Sequence, residues 1–320
     1  MILTPKLLFS NLRSALFLAQ QLRMQQKLAP SGGIATSLTP EPQLTLNNGM
    51  PVPQLAFGMY KVPANDEGES IVLDAIRAGY RHFDSAAYYD NENILGRALR
   101  KSGLPRQAFF ISSKVWNDAV KGGRDQVRAS VQKTLSDLNF GDYLDLCLVH
   151  WPVPGHFVEA YKALEEIHEK GAIRALGLSN FNPKEYQELV DSGLTVPPVC
   201  NQIEVSPVMF RPTLIEFFTE KNILITAFKP LNRASVLDNP VLLDAATAYK
   251  VTPAQIMLRW AVQKGLIVAS KTSKLSRMQE NRDILGFIIS DEFMTKLDAL
   301  TTPEAVAKRE EHEQKSKLNL

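Results

Sequence analysis

The chain has only two cysteines in 320 residues, Cys147 and Cys200. Neither belongs to a CxxC pair or a His/Cys ligand spacing, which excludes a zinc ribbon and a disulfide framework. Each lies in an apolar, strand-like run, LDLCLVH and PPVCNQIEV, and reads as a buried reduced thiol. No apolar stretch reaches the roughly 20 residues that a membrane-spanning helix needs, so no membrane partner is expected. Neither sign of charge is in excess, the formal net charge being +2, so nothing points to nucleic acid as a partner. Histidine is scarce, at five, which weakens any reading as a hydrolase built on several metal-bound histidines. A GxGxxG after the first strand-like segment is also missing. The chain has FGMYKVPAND there, which argues against an open, doubly wound dinucleotide-binding sheet.

Acidic residues are absent from residues 1–40. Leu7, Leu8, Leu12, Leu16 and Leu22 mix with Arg13 and Arg23 at roughly helical spacing, among many Ser and Gln. An amphipathic, acid-poor leader of this kind resembles an organelle transit peptide; a lineage-specific tail or a misplaced start codon gives the same pattern. Residues 1–43 carry a net +3, leaving −1 for the rest. The expected location is the cytoplasm, or an organelle if the leader targets one.

What is present begins with a rhythm. Two short extended pieces flank Asn48-Gly49 in LTLNNGMPVPQL, a hairpin signal. Eight short apolar runs follow: LAFG (55–58), YRHFD (80–84), FFISSK (109–114), YLDLCLVH (143–150), IRALGLS (173–179), VCNQIEV (199–205), ILITAF (223–228) and LIVAS (266–270). Amphipathic helical stretches separate them, and several end at a glycine in the stop position, as at Gly79, Gly103 and Gly171. Eight strand signals, each followed by a helix signal, predict a (β/α)8 TIM barrel with an N-terminal β-hairpin closing its bottom. The expected division is a leader at 1–43, one barrel domain at 44–305, and a charged, solvated C-terminal tail or frayed helix at 306–320.

Active sites of such barrels form where strands end and βα loops begin. The second, third and fourth runs end in Asp84, Lys114 and His150. Any one of these has a bland reading: a helix cap, a surface lysine, a rim histidine. Three ionisable groups on three consecutive strand ends form a constellation. Tyr89 lies five residues beyond Asp84. A phenol with a pKa near 10 is a sluggish proton donor, and an adjacent ammonium is expected to lower that pKa. Lys114 can supply the ammonium, Asp84 can hold Lys114, and His150 can hydrogen-bond a carbonyl oxygen. Such a site protonates a developing alkoxide. Side chains cannot supply a hydride, so a nicotinamide cofactor is implied. GLSN and NQIE place further hydroxyl and amide groups at strand ends on the same rim.

GYRHFDSAAYYDNE, ISSKVW, LVHWP, IRALGLSNF and NQIEVSP, in this order and spacing, resemble the aldo-keto reductase family over about residues 44–300. The resemblance implies NADPH-dependent reduction of an aldehyde or ketone, with Asp84, Tyr89, Lys114 and His150 as the catalytic tetrad. Ser179, Asn180 and Gln202 would bind the nicotinamide carboxamide, and Phe228 would stack on the ring. Lys229 and Leu231 follow in the same cofactor loop. Lys271, Thr272 and Arg277, around the start of a helix in SKTSKLSRMQEN, would cradle the extra phosphate of NADPH. Glu280 and Asn281 would contact adenine. Tyr60, Trp116 and Trp151 would wall the substrate pocket, and a C-terminal segment without aromatics implies an open, permissive one. The sequence departs from the family pattern at Ala56, Met59, Asn93, Phe228, Lys229 and Ser270. Met59 puts in doubt a polar cofactor contact, and Lys229 has an open role. A monomer acting on a small carbonyl substrate is expected. The competing class is a cofactor-sensing regulatory or binding subunit on the same barrel; an intact tetrad without a long docking extension favours the enzyme.

Since no strand or tetrad residue precedes Gln43, a chain starting there should keep the melting temperature and carbonyl-reducing activity of the full protein. Thermal unfolding and a turnover assay check this; aggregation or lost activity would mean that the leader packs on the barrel. A reporter fused to residues 1–43 tests targeting separately.

Overall fold

The computed structural model describes residues 42–318. The expected leader therefore lies outside the described residues, except for its last two positions. The hairpin consists of β1 (Gln43–Thr45) and β2 (Pro51–Pro53), antiparallel, with Leu44 opposite Val52. Gly49 turns it at φ +85°, a conformation that favours glycine. Asn47 donates to the Pro198 carbonyl, just before a barrel strand begins, which fastens the hairpin to the N-terminal end of the barrel.

The barrel strands are β3 (Leu55–Gly58), β4 (His82–Asp84), β5 (Phe110–Val115), β6 (Leu146–Val149), β7 (Leu176–Ser179), β8 (Cys200–Glu204), β9 (Leu224–Phe228) and β10 (Ile267–Ser270). All pair in parallel, and β10 closes the cylinder on β3. Seven of the strands lie within their runs, shorter by zero to four residues, and β5 is shifted one residue beyond its run, to Val115. Side chains alternate across each strand. Phe57, Phe83, Ile111, Val149, Leu178, Ile203, Ile225 and Val268 share the continuous apolar core between strands and helices. The opposite face carries His82, Asp84, Ser112, Lys114, Gln202 and Thr226, all buried. The apolar layer thus holds the helices on, and the interior is free to carry a polar network. Both cysteines are buried and unbridged, and burial pushes each thiol up to about 12.

Two features differ from the sequence reading. The β9–β10 connection contains an additional helix, Pro240–Tyr249, capped by Asn239 with proline in its first turn. The C-terminal segment, expected as a solvated tail or frayed helix, is a helix over Pro303–Leu318 with buried positions of its own. Arg309, Glu313 and Lys317 recur at i, i+4 and are buried. Arg211 bonds Glu313, Lys317 bonds Glu185 at 2.6 Å, and Asn117 donates to the Ser316 carbonyl. This helix docks by a charged stripe, which is why apolar periodicity gives no sign of it.

Candidate active site

The parallel register sets Asp84 beside Ser112, with Lys114 two residues further along the same face of β5. Lys114 reaches back so that its Nζ donates to both Asp84 oxygens at 2.9 and 3.0 Å, and to the Ser85 carbonyl at 2.6 Å. The Tyr89 hydroxyl lies 3.4 Å from the same Nζ. Tyr89 comes from a single 3-10 turn, Ala87–Tyr89, between β4 and the next helix. His150 follows β6 directly, its backbone N–H bonded to the Val115 carbonyl. Its ring meets Trp116 and Tyr89 edge-on at 4.9 and 6.0 Å, and its buried Nδ1 has no hydrogen-bond partner among the described residues. Asp84, Tyr89 and His150 line one cavity of about 530 Å³ at the C-terminal ends of the strands, and Lys114 lies buried behind this wall, bonded to Asp84 and Tyr89.

Burial is the strongest influence on each titrating group. It holds the His150 imidazole well below its ordinary value, and the Lys114 charge adds to this, so the ring is neutral. Burial also raises the Tyr89 phenol above its ordinary value, against the pull of Lys114. The expected net lowering by Lys114 is thus corrected: desolvation of a phenolate inside the barrel outweighs one shared ammonium. Burial alone would lower Lys114, but Asp84 and Tyr89 together keep it above the ordinary lysine value. At neutral pH a protonated phenol, an ammonium and a neutral imidazole thus surround Asp84.

Ser179, Asn180, Gln202, Phe228, Lys229 and Leu231 line the same cavity. Asn180 adopts φ +61°, a left-handed conformation that asparagine tolerates better than most residues. Its amide donates to the His150 carbonyl and to Ser179 Oγ. The Gln202 amide donates to Asp84 at 2.9 Å, so this residue braces Asp84 as well as facing the cavity. Lys229 pairs with Glu204 at 2.9 Å, which gives this departure from the family pattern a partner within the protein. Lys271 lies at the cavity mouth, and Thr272 Oγ1 accepts from the Lys274 backbone at the entry to the helix Leu275–Arg282. Arg277 belongs to the exposed first turn of that helix. Glu280 accepts from Thr252 Oγ1 at 2.6 Å, and Asn281 is buried.

Tyr60, Trp116 and Trp151 line the same cavity with aromatic rings. Several wall residues escaped the sequence reading, among them three with large side chains. Tyr88 stacks on Trp116 with centroids 3.9 Å apart, and Arg309 and His312 enter from the C-terminal helix. Tyr88 stands next to Tyr89 in the motif and could have been suspected. Nothing near Arg309 in sequence marks it. The pocket is therefore less open than a solvated C-terminus would leave it.

The family model described as the aldo/keto reductase family matches residues 54–302. The 9,11-endoperoxide prostaglandin H2 reductase of Trypanosoma cruzi is 36% identical over 266 residues, covering 82% of this chain and 93% of the relative. Glyoxal reductase of Bacillus subtilis is 38% identical over 261 residues, covering 82% and 93%. An aldo-keto reductase of Bombyx mori, solved in complex with NADP, superposes with a TM-score of 0.75 at 30% identity, covering 82% of this chain and 93% of the other. The chain belongs to the aldo/keto reductase family and is an NADPH-dependent oxidoreductase that reduces carbonyl groups to alcohols.

Proposed function

We propose that the chain reduces small aldehydes and ketones with Tyr89 as proton donor, His150 as the neutral hydrogen-bond donor that orients the carbonyl oxygen, and Asp84 and Lys114 as the pair that fixes the phenol. The observation that carries this reading is the Tyr89 hydroxyl held 3.4 Å from Lys114 Nζ on the wall of the cavity that His150 also lines. A phenol raised above its ordinary pKa stays protonated at physiological pH, and Lys114 stabilises the phenolate left once the proton has gone. Lys114 is itself rigid, because Asp84 and the Ser85 carbonyl take its other bonds. The aromatic walls favour small or flat carbonyl compounds, and the Bacillus subtilis relative bears the name glyoxal reductase.

The donor set around the cavity fits a nicotinamide cofactor. Ser179, Asn180 and Gln202 supply hydroxyl and amide groups at adjacent strand ends, and the half-buried ring of Phe228 gives a stacking surface. NADPH, when bound, supplies the hydride. Lys271, Thr272 and Arg277 gather at a helix start whose Lys274 N-cap makes no side-chain cap bond, an arrangement suited to a phosphate monoester. Glu280 and Asn281 belong to the same helix and are assigned to the adenine end.

Tyr89→Phe should leave thermal stability and NADPH affinity close to wild type and cut turnover by roughly 10²- to 10⁴-fold, the usual worth of a positioned proton donor. Steady-state kinetics with a panel of aldehydes measures this, and turnover within about threefold of wild type would remove Tyr89 from its role. In the wild type, the rate of reduction should not fall between about pH 7 and 9, because the donor is still protonated there.

Arg277→Ala should weaken NADPH by about tenfold or more, since a charge-assisted contact is worth about 1.5–3 kcal/mol, while NADH binding changes little. Fluorescence titration with both cofactors checks it; equal losses would place Arg277 elsewhere.

A further inference from the structure

Arg309, on the helix Pro303–Leu318, is only 5% exposed, and its guanidinium is divided among three partners. Nε donates to Glu313 Oε1, Nη1 to Glu204 Oε2 and Nη2 to Asn180 Oδ1, each at 2.8 Å. Its central carbon lies 5.3 Å from the Phe228 ring centroid and 5.7 Å from that of Trp151. Two of these neighbours, Asn180 and Phe228, are the residues assigned above to the carboxamide and the ring face of nicotinamide. Residue 309 is 129 positions away in sequence from Asn180.

The hydrogen-bond inventory of Asn180 shows what this contact does. A primary amide has two donor hydrogens and an oxygen with two acceptor positions. The Nδ2 group has two acceptors in reach, the His150 carbonyl at 3.1 Å and Ser179 Oγ at 3.0 Å. Arg309 takes one acceptor position on Oδ1 and leaves the other for a ligand. Turning the amide over would bring its NH2 group against the guanidinium, donor against donor, and would break all three bonds. Arg309 thus fixes Oδ1 as the acceptor. Arg309 pairs with Glu204, which Lys229 shares, and with Glu313, which Arg211 shares, so it is anchored by carboxylates on two separate elements. Only a planar guanidinium can bond three separate partners along its edges in this way; an ammonium on the same helix cannot reproduce the fork.

We propose that Arg309 is a positioning residue for the nicotinamide end of the cofactor, through which the C-terminal helix sets the Asn180 amide as the acceptor for the carboxamide NH2 group. The proposal rests on the assignment of Asn180 and Phe228 to nicotinamide. It gives the C-terminal helix a part in cofactor binding in addition to its place in the cavity wall.

The test compares NADPH with adenosine 2′,5′-bisphosphate, which keeps the adenosine and its 2′-phosphate but has no nicotinamide. Dissociation constants are measured by titration for the full-length wild type, Arg309→Ala and Arg309→Lys. Arg309→Ala should weaken NADPH by about tenfold or more, the loss expected when a charge-assisted hydrogen bond is removed, with the bisphosphate unchanged within about twofold. Arg309→Lys keeps the charge for Glu204 and Glu313 but not the fork; it should keep the melting temperature and still lose NADPH affinity, which decides the matter if the alanine variant is unstable. Equal weakening of both ligands in both variants would make Arg309 a structural residue only and overturn the proposal. Unchanged or tighter NADPH binding would overturn it too, the latter showing that the guanidinium competes with the carboxamide. A wild type that binds neither ligand would instead remove the cofactor assignment, and this proposal with it.

Discussion

Lys114 is buried along its whole side chain, and its ammonium is received by Asp84, the Ser85 carbonyl and the Tyr89 hydroxyl. Placing two charges inside a barrel costs several kcal/mol per ion, and the pair recovers this only with good geometry and filled hydrogen bonds. The barrel meets that condition. Asp84 accepts from Lys114, from Ser112 at 3.0 Å and from Gln202 at 2.9 Å, so two other strands, β5 and β8, serve one carboxylate of β4. The polar interior of the upper barrel is the surrounding this ion pair needs, and the apolar outer faces of the same strands hold the molecule together in its place.

From that pair the site extends outward in order. The ammonium meets the phenol, burial keeps the phenol protonated, and the same burial keeps His150 neutral. A neutral imidazole can donate one hydrogen bond to a carbonyl oxygen without protonating it outright, which accords with the proposal of Tyr89 as the acid. Beyond them stand the Ser179, Asn180 and Gln202 groups, and beyond those the charged ladder of Glu204, Lys229, Arg309 and Glu313 that seats the C-terminal helix. Each layer is held by the one outside it, so a rigid catalytic centre is obtained from loops and strand ends.

Most of this was legible in the sequence because it is local. The eight apolar runs, the glycine stops and the Asn48-Gly49 turn are short-range signals, and each became the element it suggested. Asp84, Lys114 and His150 could be found because a barrel brings strand ends together whatever the intervening residues are. What escaped was long-range and electrostatic. The sign of the Tyr89 shift depends on how deeply the phenol is buried, a property of the closed barrel that no spacing of residues reports. The docking of the helix Pro303–Leu318 was missed because its buried positions are Arg309, Glu313 and Lys317, which a hydropathy reading assigns to solvent. Their partners, Glu204, Asn180, Arg211 and Glu185, lie at least 102 residues away. The helix Pro240–Tyr249 is a different case, since its Asn239 cap and adjacent proline were available as start signals.

The central claim is that the Asp84–Lys114 pair is kept for chemistry and not for stability. The direct test is the double variant Asp84→Asn with Lys114→Met, compared with wild type in melting temperature and in turnover. The asparagine oxygen can still accept from Ser112 and Gln202, and the methionine replaces the lysine side chain without a charge. Replacing a buried ion pair by neutral groups of similar volume is often neutral or stabilising, so the account predicts a melting temperature equal to wild type or higher, with turnover reduced by about 10²-fold or more. A variant that melts well below wild type yet still reduces aldehydes within about tenfold of the wild-type rate would contradict it.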